Sequence, residues 1–235
     1  IHGTSVSSSH DTIGMPFQKA MNAILKSIAV FQKKILPASL LVVTKGRSAL
    51  EIQETLNSGI SMIGENRLQE IEKKYDLRLF HEMKRKGVSL HFIGHLQTNK
   101  VKKMVRLCDV IQSVDRLKLA EAVSHEALKI KKIMPVFLEL ALTQESQKYG
   151  FTEKQLKEEF FRIKALPGIN VQGFMVMGKE GDLFATRQVF RQSKELAKQY
   201  GLLELSMGMS DDYEIAVEEG ATIVRLGRVI FQRPA

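Results

Sequence analysis

The sequence contains a single cysteine, Cys108, among 235 residues. That excludes an internal disulfide framework and a multi-cysteine zinc site, and it fits a reducing cytoplasm. No stretch approaches the ~18 consecutive apolar residues that a membrane-crossing helix needs. Residues Ile1 to Met15 are rich in Ser, His and Gly and lack the apolar segment of a signal peptide, so they read as a disordered leader or tag. GxGxxG, P-loop, HExxH and GxSxG motifs are all absent, which leaves dinucleotide, nucleoside triphosphate and esterase readings without support. Nothing Gly/Ser-rich or Pro-rich interrupts the remainder, so residues 16–235 read as one domain.

What is present is ordinary globular composition, 44% hydrophobic and 26% charged, long enough for a substantial core. The net charge of +9 is uneven. Residues 201–235 hold six acids against three arginines, a net of −3, so the rest of the chain carries +12. Lys84, Arg85 and Lys86, then Lys100, Lys102, Lys103 and Arg106, are the densest basic stretches. A basic balance attracts phosphate-bearing ligands or nucleic acid. With no nucleic-acid motif beside them, these stretches read as solvated helix faces, and nucleic acid is not expected as a partner.

Short apolar runs alternate with amphipathic segments. Phe17–Lys34 reads as a leading helix, with Ala20, Ile24, Ile28 and Phe31 at helical spacing. Strands are predicted over 40–45, 61–63, 90–94, 110–113, 133–140, 171–177, 203–205 and 222–226. Helices are predicted over 48–57, 65–73, 99–107, 115–129, 153–165, 182–200 and 212–219. Eight strands, the first seven each followed by a helix, predict a single (β/α)8 TIM barrel with an extra N-terminal helix; a doubly wound open sheet is the alternative. In a barrel the chemistry belongs at the C-terminal ends of the strands.

Lys45 closes the first strand. Alternation puts it on one face with Leu41 and Val43, so if those face inward an amine stands at the catalytic rim. Apolar walls disfavour its ammonium form and free it to condense with a carbonyl; the alternative is a lysine snorkelling to water. Arg225 has the matching parity in the last strand, which neighbours the first if the barrel closes. Two cations with no obvious acid between them imply an anionic or electron-rich ligand, unless Arg225 pairs with a carboxylate such as Glu139. The loop Ser206–Asp212 is small and polar, and Gly227 and Arg228 complete its neighbourhood. Barrels often hold phosphate there. Asp211, Asp212 and Glu214 read instead as helix caps, Asp211 with Glu214 as a capping box. His91 and His95 have the spacing of a metal pair but no third ligand nearby, so a metal is not expected. Cys108 reads as inert core.

Several segments together resemble the pyridoxal phosphate homeostasis protein family, whose fold is that of the barrel domain of alanine racemase. They are Leu41–Lys45, IGENRLQE from Ile63, HFIGHLQTNKVKK from His91, SVDR from Ser113, ESQKYGF from Glu145, SMGMSDD from Ser206 and ATIVRLGRVIF from Ala221. The resemblance implies that Lys45 carries pyridoxal 5′-phosphate (PLP) covalently as an internal aldimine. It further implies that Ser206, Ser210, Gly227 and Arg228 surround the phosphate, the last two through backbone N–H groups. Arg225 would face the pyridine nitrogen, with Asn66 and His95 near the ring or the mouth. The chain departs from the family pattern at Leu140-Ala141-Leu142, where relatives have an asparagine, at Arg228 in place of a small or hydroxyl residue, and at Gln232 in place of a glycine.

An arginine cannot hand the ring a proton, and an unprotonated ring is a weaker electron sink. Racemases add a tyrosine from another domain of a partner subunit, and this sequence shows no such domain after the eighth strand. The expectation is therefore a cytoplasmic, monomeric PLP-binding protein of vitamin B6 homeostasis rather than a robust catalyst. PLP-dependent apo-enzymes are its candidate recipients and a membrane is not a partner. The alternative is a PLP-dependent amino-acid racemase-type enzyme.

Overall fold

The computed structural model describes residues 14–143 and 149–232, with side chains described from Met21 onward. In chain order the elements are α1 (Gly14–Lys34), β1 (Ser39–Val43), α2 (Ala49–Leu56), β2 (Met62–Glu65), α3 (Leu68–Lys74), α4 (Leu77–Arg85) and β3 (Ser89–Phe92). A single 3-10 turn, Thr98–Lys100, then leads into α5 (Val101–Leu107), β4 (Val110–Val114), α6 (Leu117–Lys129) and β5 (Met134–Leu140). The second half runs α7 (Glu153–Lys164), β6 (Ile169–Val176), α8 (Leu183–Tyr200), β7 (Glu204–Ser206), α9 (Tyr213–Glu218), β8 (Ile223–Leu226) and α10 (Arg228–Phe231). The eight strands form a closed parallel barrel in sequence order. The open-sheet alternative is thereby removed, because β1 pairs with β8 from Ser39–Ile223 to Val42–Leu226.

Strand alternation divides the core into two layers. Leu40 and Val42 of β1 belong to the large cluster between strands and helices, whereas Leu41 and Val43 join Phe137, Met175 and Ile223 inside the barrel. Parallel strands covered on both faces need apolar residues at both parities, which the run Met134–Leu140 supplies apart from Glu139. Capping boxes fix the starts of α2 (Ser48 with Glu51) and α7 (Thr152 with Gln155), and Gly201 at φ 64° ends α8 in the left-handed region. The leading helix α1 packs against α10 and α2, and Ser27 Oγ donates to the Val229 carbonyl at 3.1 Å.

Several sequence expectations move. Regular β1 ends at Val43 rather than Lys45, although Thr44 N still donates to the Gly64 carbonyl at 3.0 Å. The helix expected from Glu65 starts at Leu68, because Gly64 and Glu65 pair with His91 and Phe92 as the end of β2. Helix α4 was not expected. Asp76 caps it through the Leu79 N–H and it buries only Leu79 and Met83, too sparse a stripe to read against its basic residues. Its last turn holds exposed Lys84 and Arg85, and Lys102, Lys103 and Arg106 of α5 are also exposed. The Asp211–Glu214 capping box does not form. Asp212 occupies the cap position of α9 without a side-chain cap bond and instead accepts from the Met209 N–H at 2.6 Å. The leader or tag expected over residues 1–15 lies almost wholly outside the described residues.

Gly173 on β6 sits opposite Glu204 of β7, and a Cβ there would stand 1.9 Å from the Glu204 carbonyl oxygen. Backbone cannot yield as a flexible side chain can, so Gly173→Ala is expected to cost about 3 kcal/mol in urea unfolding, the upper end for overpacking. A loss below about 0.5 kcal/mol would show that β6 and β7 separate freely.

Candidate functional site

The C-terminal rim begins at Lys45, whose side chain is exposed and whose flanking backbone is fixed from outside the barrel. Buried Thr44 donates through Oγ1 to Glu65 Oε1 at 2.7 Å, and Tyr75 OH, 3.0 Å from that hydroxyl, donates to the same oxygen at 3.1 Å. Lys74 Nζ bonds the Thr44 carbonyl at 2.9 Å, Glu65 Oε1 at 2.8 Å and Glu70 Oε2 at 2.7 Å. Glu70 Oε2 also accepts from the Gly46 N–H at 2.7 Å, where φ of +70° suits glycine. Burial alone would raise the Glu70 carboxyl, but the Gly46 N–H and the Lys74 ammonium outweigh it and hold the group below its usual value. Burial, then the neighbouring Glu65, pushes the Tyr75 phenol well above its ordinary range. The residues on either side of Lys45 are thus anchored while its amine stays reachable. Beside them Arg47, Arg67, Lys73, Lys74 and Lys100 line a rim groove of about 1040 Å3 whose one acid is Glu70.

Inside the barrel, Arg225 of β8 is buried. Its Nη1 donates to the Ser206 carbonyl and, at 2.9 Å, to Ser206 Oγ, and its Nη2 donates to the Val176 carbonyl at 2.8 Å. Burial draws its pKa down to about 10, with Asp212 and Glu139 opposing that fall. The reading of two cations without an acid is therefore corrected, since these two carboxyl groups share Arg225's surroundings. Among the described residues neither forms an ion pair with it, so the pairing with Glu139 is corrected too. Glu139 has the inward parity of Phe137, and burial followed by Asp115 pushes it up to about 7 against the pull of Arg225. Asp115 is clasped by Arg116 and meets His95 Nδ1 at 3.2 Å. The His95 ring stacks on Tyr149, centroids 3.5 Å apart and planes at 25°.

The loop after β7 is drawn under the rim by two bonds, Met209 N to Asp212 and Arg225 N to the Gly208 carbonyl at 2.9 Å. Gly208 sits at φ +92°, and a Cβ on Gly227 would stand 3.0 Å from the Val43 carbonyl oxygen, so the β8 end lies close against β1. Ser206 Oγ turns into the barrel and donates to Gln112 Oε1 at 2.6 Å. Ser210 is half-buried in the same loop. The Arg228 side chain is exposed and turns to Asp211. Asn66 follows β2 and holds a buried Oδ1 with no hydrogen-bond partner among the described residues. Its carbonyl lies against Gly94, where a Cβ would come within 2.1 Å. Ala141 is half-buried and donates its N–H to the Phe151 carbonyl at 3.0 Å, and Gln232 is exposed. Cys108 is buried beside Met104, and burial pushes its thiol well up, as inert core requires.

Residues 20–233 match the family described as alanine racemase, N-terminal domain. A pyridoxal phosphate homeostasis protein of Aquifex aeolicus is 39% identical over 190 residues, 77% of this chain and 80% of that protein. The chain belongs to the pyridoxal phosphate homeostasis protein family. PipY of Synechococcus elongatus, solved with PLP bound, superposes with a TM-score of 0.80 at 31% identity over 89% of this chain and all of that one. Alanine racemase from Corynebacterium glutamicum, 16% identical over 92% of this chain and 62% of its own, has a TM-score of 0.71 and shows the shared barrel alone.

Sequence reasoning named Lys45, Arg225 and the 206–228 neighbourhood of this family's rim, but not Gln112, Asp115 or Lys74. Gln112 had one signal, a polar side chain inside an apolar strand. Glu139 is testable without any ligand. Its folded pKa of about 7 exceeds the ordinary 4.5, so stability is fullest below pH 4.5 and is lost as pH rises through 7. Glu139→Gln is expected to remove that loss, gaining on the order of 2–3 kcal/mol over wild type at pH 8 and little at pH 4 in urea unfolding. Equal wild-type and variant slopes with pH would show that Glu139 ionises freely.

Proposed function

We propose that this chain binds PLP covalently through Lys45 and serves intracellular vitamin B6 balance as a carrier rather than a robust catalyst. The supporting observation is the β1–β8 register. Leu41 pairs directly with Arg225, so the rim amine two inward positions above Leu41 and the buried guanidinium occupy adjoining strands. The donor set fits an anionic pyridine ligand. Among the described residues three of Arg225's five N–H groups are committed, which leaves two for a ring nitrogen. The close turn at Gly227, with the backbone of Arg228 and the hydroxyl of Ser210, supplies the phosphate end, and Ser206 joins that end to Arg225. Asn66 Oδ1 and the His95 ring flank the mouth. When bound, the cofactor supplies an aldehyde with which a lysine amine condenses.

The same residues favour holding over turnover. Arg225 remains a cation at neutral pH and offers no proton to the ring. Tyr75 is tied to Glu65, Tyr213 donates to Glu214 and Tyr200 packs on Phe160, so these three tyrosines serve structure. The racemase-type alternative needs a second base, and Tyr149 on His95 is the tyrosine placed at the rim. Racemisation of an amino acid that disappears in Tyr149→Phe while PLP binding persists would favour that alternative. No helix among the described residues is long and apolar enough to cross a membrane. A cytoplasmic monomer that delivers PLP to apo-enzymes completes the proposal, with light scattering as the test of the monomer.

Wild-type protein mixed with PLP is expected to gain a visible absorption band, and borohydride followed by mass spectrometry should place the pyridoxyl group on Lys45. Lys45→Ala should lose the band and bind at least tenfold more weakly. A band of equal strength in Lys45→Ala would overturn the assignment of the lysine.

A further inference from the structure

Among the described residues a line of hydrogen bonds crosses the barrel interior, and its two ends allow one consistent direction of donation. Arg225 Nη1 donates to Ser206 Oγ at 2.9 Å, and Ser206 Oγ donates to Gln112 Oε1 at 2.6 Å. The Gln112 amide nitrogen stands 2.8 Å from His91 Nδ1, and His91 Nε2 stands 2.9 Å from Ser89 Oγ. Ser89 Oγ donates in turn to the Ser61 carbonyl at 3.1 Å, at the floor of the barrel. Arginine is a donor with no acceptor, so it sets the direction at the rim, and a carbonyl accepts only, so it sets the same direction at the floor. Between them Gln112 presents oxygen to Ser206 and nitrogen to His91, which requires an unprotonated Nδ1 and a proton on Nε2. Burial lowers the His91 pKa to about 4 and keeps that form through the neutral range. With His91 protonated at Nε2, a reversed Gln112 amide would set its oxygen against the unprotonated Nδ1 and take Oε1 away from the Ser206 hydroxyl proton.

We infer that Gln112 and His91 are positioning residues that lock the Ser206 hydroxyl and, through it, aim the two uncommitted N–H groups of Arg225 at the ligand. The function of this lock rests on the proposed PLP site. Its existence does not, because the line is complete in the protein alone. Neither residue touches the rim, so their effect on a ligand is transmitted through Ser206 and Arg225.

The test compares two substitutions of similar size. Gln112→Met removes both bonds, whereas Gln112→Glu keeps an acceptor for Ser206 and turns His91 to its Nδ1-protonated form. In ligand-free protein, nitrogen NMR should find wild-type His91 protonated at Nε2 alone from pH 5 to 8, with slowed exchange of the Arg225 Nη protons. That slow exchange should be lost in Gln112→Met and kept in Gln112→Glu. With PLP added, Gln112→Met should bind about tenfold more weakly, the scale of one hydrogen bond to a charged group. It should also shift the pH midpoint of the visible band, while Gln112→Glu stays within about twofold of wild type. His91→Phe, which frees the far end of Gln112, should fall between them. Slow Arg225 exchange that survives in Gln112→Met, or Gln112→Glu failing as badly as Gln112→Met, overturns the lock. Slow exchange behaving as expected in a wild-type protein that takes up no PLP upholds the lock and overturns the functional reading instead.

Discussion

The pairing of β8 with β1 is the contact on which the arrangement of the site depends, since an open sheet would leave Lys45 and Arg225 at opposite edges. Closure gives every strand two neighbours and one inward face, so side-chain parity alone decides what enters the barrel. With Leu41 and Val43 fixed inward by Phe137, Met175 and Ile223, the next residue of that parity is Lys45, and it emerges at the C-terminal rim. The close approach of Gly227 to Val43 then brings the β8 turn against the same edge. The rim amine, the buried cation and the β8 turn are three consequences of one seam.

That seam places a charge where water cannot reach it. An isolated buried guanidinium is costly, and replacing such a group by apolar side chains often stabilises a protein. Here the desolvation is offset by two carbonyls and a hydroxyl rather than by a salt bridge, with Asp212 and Glu139 contributing at longer range. The polar half of the interior runs from Ser206 through Gln112 to His91. The apolar half, on β1, β5 and β6, provides the rigid packing against which they are held. Glu139 stands between the halves with a raised pKa and, among the described residues, no ion pair, a local instability of the kind that binding sites retain.

Strand alternation and the order of segments made the barrel legible, including Lys45 and Arg225 on matching parities. The family motifs supplied roles that parity could not. Other features depend on neighbours distant in sequence. Lys74 looks like an ordinary i,i+4 partner of Glu70, and only the fold shows its ammonium also reaching the Thr44 carbonyl and Glu65. Gln112 and Ser206 are 94 residues apart, and only the closed barrel brings them together. The capping box at Asp211 is a sound local pattern that loses to competing partners, because the Asp211 carboxylate is taken by Arg228 and the cap position falls on Asp212, which closes the loop onto Met209. Helix α4 failed for the opposite reason, since two buried residues in nine give almost no periodic signal.

The two ends of the proposed site differ in a way that suits a carrier. At the Arg225 end the donors are buried and held, so ligand recognition there requires little reordering and gains from a water-poor setting. At the Lys45 end the backbone is anchored through Thr44 and Gly46, yet the amine itself is exposed. A covalent bond made at an exposed amine can be reached and broken by an incoming nucleophile without opening the barrel. A catalyst of carbanion chemistry would need a shielded reacting end and, with an arginine at the ring, a second base of the kind racemases add. This chain instead holds a buried cation on β8 and an exposed amine after β1, on two adjoining strands of one seam, the arrangement that the proposed carrier would use.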